Sequence, residues 1–158
     1  YGFEGNAAFT HQLKKLEKGL KQRGMRVALF TENVVGVHDG SAELFVDDGR
    51  GALGSSLATT KTDLTIDATR GWVQTNATVA KSWRRATVRS TDVAHFLLDI
   101  GRHSDFLGVK IDIEGFEYDL LAHAHAKGAL CNNVHMLVIE WHEGMLRNSS
   151  TAGASGRL

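Results

Sequence analysis

The segment VKIDIEGFEYDLL, from Val109 to Leu121, passes from an apolar strand pattern to a helical pattern through two acids and a glycine. Side chains alternate along a strand, so Lys110, Asp112 and Glu114 are expected on one face. Two interpretations are open. The acids begin the helix that follows, with Gly115 serving only the tight turn, or they hold a ligand at the end of the strand.

The segments around this stretch alternate between strand and helix patterns. ATVRSTDV and HMLVIEWHE are strand-like, whereas DVAHFLLDIGR and FEYDLLAHAHAKGAL are helix-like, the last ending at Gly128. This alternation, with continuous apolar strands, predicts an α/β fold whose mostly parallel sheet is covered by helices on both faces. VKIDI and MLVIEW are expected to be its central strands.

The N-terminal part of the chain adds further elements. Tyr1 to Glu4 reads as the end of a strand, and the helical pattern that follows lies between an Asn6 cap and a Gly24 stop. The segment from Arg26 to Val35 is β-rich and predicts one further strand.

The middle of the chain is less regular. Asp39-Gly40 predicts a hairpin turn into a strand over residues 42–46. From about 47 to 83 the pattern dissolves into glycine- and serine-rich sequence with short β-like pieces, which predicts an irregular insertion.

The composition narrows the function classes. The chain has 158 residues, 42% hydrophobic residues and zero formal net charge, values typical of one globular domain. No basic stripe with interleaved aromatics occurs, so no nucleic acid partner is expected. No apolar run of about 18 residues occurs, so no membrane insertion is expected in this segment.

The single Cys131 excludes an internal disulfide or a multi-cysteine metal site, and it is expected to be a buried small hydrophobe. Together with sequons at Asn76 and Asn148, it leaves both the cytoplasm and the secretory lumen possible. The oligomeric state is not indicated by the sequence.

Three predicted strands end in acids, at Glu4, at Asp112 with Glu114, and at Glu140 with Glu143. Ligands of open α/β sheets bind at the carboxyl ends of the strands, and a buried carboxylate without a partner is costly. These ends therefore indicate a shared polar ligand. Glu4 alternatively only favours the dipole of the following helix.

The histidines do not predict a metal site. His142 shares a face with Glu140 in the last strand, although it is alternatively an ordinary loop histidine. His123 and His125 lie two apart on a helix, so they do not face the same way, and metal ligation by this pair is not expected.

Five blocks, GFEGNAAFTHQL, ENVVGVHDGSAEL, RSTDVAHFL, VKIDIEGFEYDLL and LVIEWHE, occur in this order. Together they resemble the FkbM-type S-adenosylmethionine-dependent methyltransferases over most of residues 1–143. The resemblance implies a Rossmann-like class I methyltransferase fold. Because the family's first strand and its D-x-G-x-x-x-G loop are not in this sequence, and its last strands are missing too, a domain truncated at both ends is expected. That partial domain spans 1–147, with a loose polar tail over 148–158.

The resemblance also implies roles for the strand-end residues. Glu4 would bind the ribose hydroxyls of S-adenosylmethionine, residues 32–34 would line the adenine, and Asp112 would face the methionine end and the acceptor. One of Glu114 and His142 is expected to orient or deprotonate the acceptor hydroxyl. The cofactor-binding set is thus Glu4, Gly5, Asn6, Glu32, Asn33, Val34 and Asp112.

The expected function is O-methyl transfer from S-adenosylmethionine to a hydroxyl of a small molecule or glycan, by direct displacement in which positioning supplies much of the rate. A nicotinamide-dependent oxidoreductase is an alternative, because an acid after the second strand fits a nicotinamide ribose equally well. A non-catalytic remnant of the same fold is the second alternative.

Overall fold

The computed structural model describes residues 1–47, 54–59, 62–67, 71–78, 83–131 and 133–142, and for 62–67 and 71–78 it describes the backbone only. The elements in chain order are β1 (Gly2–Glu4), α1 (Thr10–Gln22), β2 (Leu29–Thr31), β3 (Asn33–Gly36), β4 (Gly40–Val46), β5 (Thr62–Asp67), β6 (Gly71–Thr78), β7 (Arg84–Asp92), α2 (Val93–Gly101), β8 (Gly108–Ile111), α3 (Glu117–Ala126) and β9 (Met136–Ile139). Among the described residues, no helix is both long and apolar enough to cross a membrane.

The described strands form small sheets, most of which contain a parallel pair. β1 pairs with β2 and β8 with β9, each in parallel, and in both cases a helix lies between the two strands in the chain. β7 lies between β3, to which it is parallel, and β4, to which it is antiparallel. A parallel pair needs a crossover connection, so α1 and α3 follow from this pairing. The fold is therefore mixed α/β, as predicted.

The prediction of one strand over Arg26 to Val35 was wrong, because Glu32 divides it. Glu32 has φ 55, in the left-handed region, which a strand cannot pass through. The strands on its two sides pair differently: Thr31 lies opposite Glu4, and Asn33 lies opposite Arg89.

The predicted hairpin at Asp39-Gly40 was also wrong, since β7 lies between β3 and β4. The Asp39 side chain instead accepts a hydrogen bond from the backbone N–H of Asp92, at the end of β7 (2.9 Å). The Asp39 side chain is therefore hydrogen-bonded to the end of β7, and the strands before and after Asp39 are not paired with each other.

The expectation of covered central strands does not hold for β9. Its residues Met136, Leu137 and Val138 are exposed, and β8 ends already at Ile111. An apolar run looks the same in an edge strand as in a central one, so periodicity alone did not determine the position. Because β8 ends at Ile111, Asp112 and Glu114 lie in the loop after it.

One further expectation needs correction. It concerns the buried position expected for Cys131, whereas the insertion predicted over about 47–83 stays a prediction; its short β-like pieces include the antiparallel pair β5–β6, in which Thr62 lies opposite Thr78 and Asp67 opposite Gly71. Cys131 is exposed rather than buried, with Sγ 3.8 Å from Nδ1 of His125.

The larger core fixes the loop between β8 and α3. Seven buried residues pack α2, β8 and α3 together: Val93, Ala94, Leu97, Ile111, Leu120, Ala124 and Ala129. In the same part of α2, Phe96 contacts Phe3 edge-on with ring centres 5.0 Å apart, and Phe3 stacks on Phe30 at 4.7 Å. These contacts position the end of β1 and the end of β8 relative to the same helix.

Candidate active site at the strand ends

A cavity of about 540 Å³ lies where β1, β8 and β9 end, beside β3. The parallel pairs bring these carboxyl ends together, as expected for a ligand site in such sheets. Six of the nine predicted site residues line it: Glu4, Gly5, Asn33, Val34, Asp112 and Glu114. Glu140 lines it as well.

Asn6 and Glu32 do not line this cavity, and both have hydrogen-bond partners within the protein. The Asn6 side chain accepts from the N–H of Ala8 (3.0 Å), which makes it the cap of the short 3-10 turn Ala7–Phe9 just before α1. Its Nδ2 donates to Oγ of Ser55 (3.1 Å). The carboxylate of Glu32 accepts from the hydroxyl of Thr10 (3.2 Å).

Glu4 is a half-buried carboxylate at the cavity wall. Burial raises its pKa, and the N–H groups of Asn6 and Gly5 only partly lower it again. The bond from the N–H of Asn6 measures 2.6 Å. Among the described residues no cation pairs with Glu4. A ligand that donates hydrogen bonds to Glu4 would therefore offset the free-energy cost of burying this carboxylate.

Gly5 packs tightly beside Glu4. A Cβ at this position would lie 2.5 Å from Cγ1 of Val34 and 3.0 Å from Cδ2 of Leu44. No larger residue fits here unless the wall formed by Val34 moves.

The loop after β8 turns sharply, as predicted at Gly115. Glu114 (φ 59) and Gly115 (φ 104) both adopt positive φ. For glutamate this conformation is unfavourable by about 1–2 kcal/mol. The hydroxyl of Ser56 holds the loop by donating to the carbonyl of Glu114 (2.6 Å). Sequence reasoning missed Ser56, which lies in the segment that was predicted to be irregular.

The acid that stabilises the start of α3 is Glu117, and this overturns the view that Asp112 and Glu114 begin the helix. Glu117 is fully buried and accepts hydrogen bonds from the N–H groups of Ile113 (3.2 Å) and Gly115 (3.0 Å). Burial raises the pKa of Glu117, but the hydrogen bonds from His142 and Gly115 lower it by more than burial raises it. The net shift of this pKa is therefore downward. Sequence reasoning missed Glu117, although it is the second residue of the predicted helix.

His142 is buried behind the cavity and is not an ordinary loop histidine. Its Nδ1 lies 2.8 Å from Oε1 of Glu117. On the other side, Nε2 lies 3.7 Å from Glu114 Oε1, 3.9 Å from Asp112 Oδ1 and 3.9 Å from Glu140 Oε1. One imidazole therefore lies among four carboxylates.

Lys110 approaches two of these carboxylates from the opposite side. Its Nζ lies 2.8 Å from Asp112 Oδ2 and 3.8 Å from Glu140 Oε2. The hydrogen bond from Lys110 is the largest cause of the lowered pKa of Asp112. Asp112 is thus held as a carboxylate at the cavity wall.

Comparison with known proteins identifies the family. Residues 1–152 match the family described as the methyltransferase FkbM domain. No curated protein and no solved structure matches the chain. The match confirms the resemblance and removes the support for an oxidoreductase. The domain boundary expected at 147 stays a prediction, because residues 143–158 lie outside the described part. The chain belongs to the FkbM family of methyltransferases.

Proposed function

We propose that this protein transfers a methyl group from S-adenosylmethionine to a hydroxyl group of a small molecule or sugar. Family membership gives the reaction class. The observation that carries the proposal is the cavity of about 540 Å³ in which Glu4, Asp112 and Glu114 meet. The mixed α/β structure with parallel pairs supports a Rossmann-like arrangement, in which ligands bind at this edge.

The residues around Glu4 fit a nucleoside. The two hydroxyls of a ribose can both donate to one carboxylate, and Glu4 is half-buried with no cation to balance it among the described residues. Val34 and Leu44 add an apolar wall next to Gly5 that suits a flat base. Asn33 adds an amide beside that wall.

Asp112 and Glu114, which also line the cavity, suit the acceptor. When bound, S-adenosylmethionine would supply a methyl group on a positively charged sulfur, so little covalent work falls to the protein. Glu114 lines the cavity and His142 does not. Glu114, rather than His142, would therefore accept the hydrogen bond of the acceptor hydroxyl and receive its proton.

The test is a calorimetric titration of S-adenosylhomocysteine into the full-length protein, beside Glu4→Gln. Removing a charged hydrogen-bond acceptor costs about 1.5–3 kcal/mol, so affinity should fall roughly 10- to 100-fold. Glu32→Gln is the matched control. Glu32 directly follows Thr31, which lies opposite Glu4, but it does not line the cavity. The affinity of this variant for S-adenosylhomocysteine should equal that of the wild type.

Glu4→Gln should also raise the free energy of unfolding at neutral pH. Because burial raises the folded-state pKa of Glu4, its contribution to stability is present at low pH and lost as the pH rises through that pKa. A neutral amide avoids this loss.

If the full-length protein does not bind S-adenosylhomocysteine, the proposal fails and the non-catalytic alternative stands. Equal binding by Glu4→Gln would instead remove Glu4 from the ribose site.

A further inference from the structure

We infer that Asp112, Glu140 and His142 form a binding site for one divalent transition-metal ion of the Mn²⁺ or Zn²⁺ type at the cavity wall. This site was not predicted from the sequence, where only the pair His123 and His125 was considered as metal ligands. The inference does not rest on the methyl-transfer proposal, because it concerns only how these side chains are arranged.

The donor atoms are close enough to share an ion. Nε2 of His142, one carboxylate oxygen of Asp112 and one of Glu140 all lie within 4.8 Å of one another. Ligand atoms bound to one ion at about 2.0–2.2 Å lie roughly 3–4.4 Å apart, so small side-chain movements suffice. A set that mixes an imidazole nitrogen with carboxylate oxygens suits Mn²⁺ or Zn²⁺ better than Mg²⁺, which prefers oxygen ligands.

The imidazole is oriented as a metal ligand needs to be. The side chain of His142 is 6% exposed, and the fully buried Glu117 lies 2.8 Å from its Nδ1. A carboxylate at this distance holds the proton of the neutral ring on Nδ1 and turns the Nε2 lone pair toward Asp112 and Glu140. Histidine ligands of metals characteristically have such a carboxylate on their other ring nitrogen.

Glu117 is itself held in place by the N–H groups of Ile113 and Gly115. The orientation of the imidazole therefore does not depend on the exposed acids. It is fixed by the loop and the helix before any ion arrives.

The charges leave room for a cation. Asp112, Glu114, Glu117 and Glu140 all have an oxygen within 4 Å of the His142 ring. Lys110 takes Oδ2 of Asp112 and Oε2 of Glu140. The oxygens of these two acids that face His142 are Oδ1 and Oε1. A divalent ion between His142 and these two oxygens would reduce the repulsion between the two carboxylates, which share one ammonium.

The experiment titrates MnCl₂ into the full-length protein without methyl donor or acceptor and follows the paramagnetic resonance signal of free Mn²⁺. One ion per chain is expected, displaced by ZnCl₂. Asp112→Asn and Glu140→Gln should each weaken binding at least about tenfold, and Glu117→Gln by about 10- to 100-fold. Asp112 and Glu140 are exposed enough to be replaced without opening the core, and circular dichroism checks that each variant is folded.

Two further variants separate a metal site from a network of ion pairs. Lys110→Met should tighten Mn²⁺ binding, because it removes a cation that repels the ion and competes for Asp112 and Glu140. Asp39→Asn is the matched control and should bind Mn²⁺ like the wild type. Asp39 is also an acid beside a histidine, 3.5 Å from Nδ1 of His95, but this pair lies on the surface.

Absence of saturable Mn²⁺ and Zn²⁺ binding by the folded wild type would overturn the inference, as would unchanged binding in an Asp112→Asn, Glu140→Gln double variant. His142 would then be an imidazolium balancing the acids. Titration of S-adenosylhomocysteine into the same sample keeps the two ideas separate, since cofactor binding without metal binding overturns the metal site alone.

Discussion

Glu117→Ala is expected to lower the free energy of unfolding by about 3–5 kcal/mol, because it removes a fully buried carboxylate and leaves several buried donors without their acceptor. The carboxylate is fully buried and faces Nδ1 of His142 at 2.8 Å. Its loss would leave His142 buried without this acceptor. The N–H groups of Ile113 and Gly115 would lose their acceptor at the same time.

Urea unfolding measures this effect, and Asp119→Ala provides the control. Asp119 is an exposed acid in the same first turn of α3, so its replacement should change stability by about 0.5 kcal/mol or less. Glu117→Gln keeps an acceptor oxygen and should lose less stability than Glu117→Ala. Equal stability of Glu117→Ala and Asp119→Ala would show that the buried carboxylate does not hold the loop.

Asp92→Ala is expected to cost about 2–4 kcal/mol, because a helix cap and a buried charged hydrogen bond are lost together. Asp92 caps α2 by accepting from the N–H groups of Ala94 (2.8 Å) and His95 (3.3 Å). Its Oδ1 also lies 2.9 Å from Nε2 of His123 on α3. This residue therefore connects the two helices that enclose the larger core.

The effect of Asp92 should depend on pH. Burial raises its pKa, but the hydrogen bonds from His123, His95 and Ala94 outweigh burial and lower the pKa below its ordinary value of 3.8. Its contribution to stability is therefore present above that ordinary value and lost as the pH falls through the lower folded-state pKa. The stability difference between wild type and Asp92→Ala should shrink between pH 5 and pH 3, measured by urea unfolding. A difference that stays constant over this range would contradict the role assigned to the carboxylate.

The sequence pattern predicted caps, helix ends and turns well where interactions between residues close in the chain determine the structure. The Asn6 cap, the helices ending before Gly24 and Gly128, and the turn at Gly115 depend on residues close in the chain. The break at Glu32 was not predictable in this way, because glutamate has no preference for positive φ and the pairing of β2 and β3 with different strands imposes it.

The candidate site was predictable only in outline. Parallel strands bring their carboxyl ends to one edge, so the gathering of Glu4, Asp112 and Glu114 around one cavity followed from the strand pattern. The contact of Ser56 with Glu114 joins residues that are 58 positions apart in the chain, and no periodicity reports such a contact. The buried pair of Glu117 and His142 was hidden for the same reason.

The left-handed Glu32 has a consequence for how this sequence can vary. It joins the strand paired with the Glu4 strand to the strand that begins with Asn33, so both walls of the cavity depend on one unusual backbone conformation. Glycine relieves that conformation, and asparagine or aspartate tolerates it, whereas valine, isoleucine and threonine do not. Natural substitutions at this position should therefore drift toward small or short polar residues, opposite to the β-branched residues favoured on either side of it.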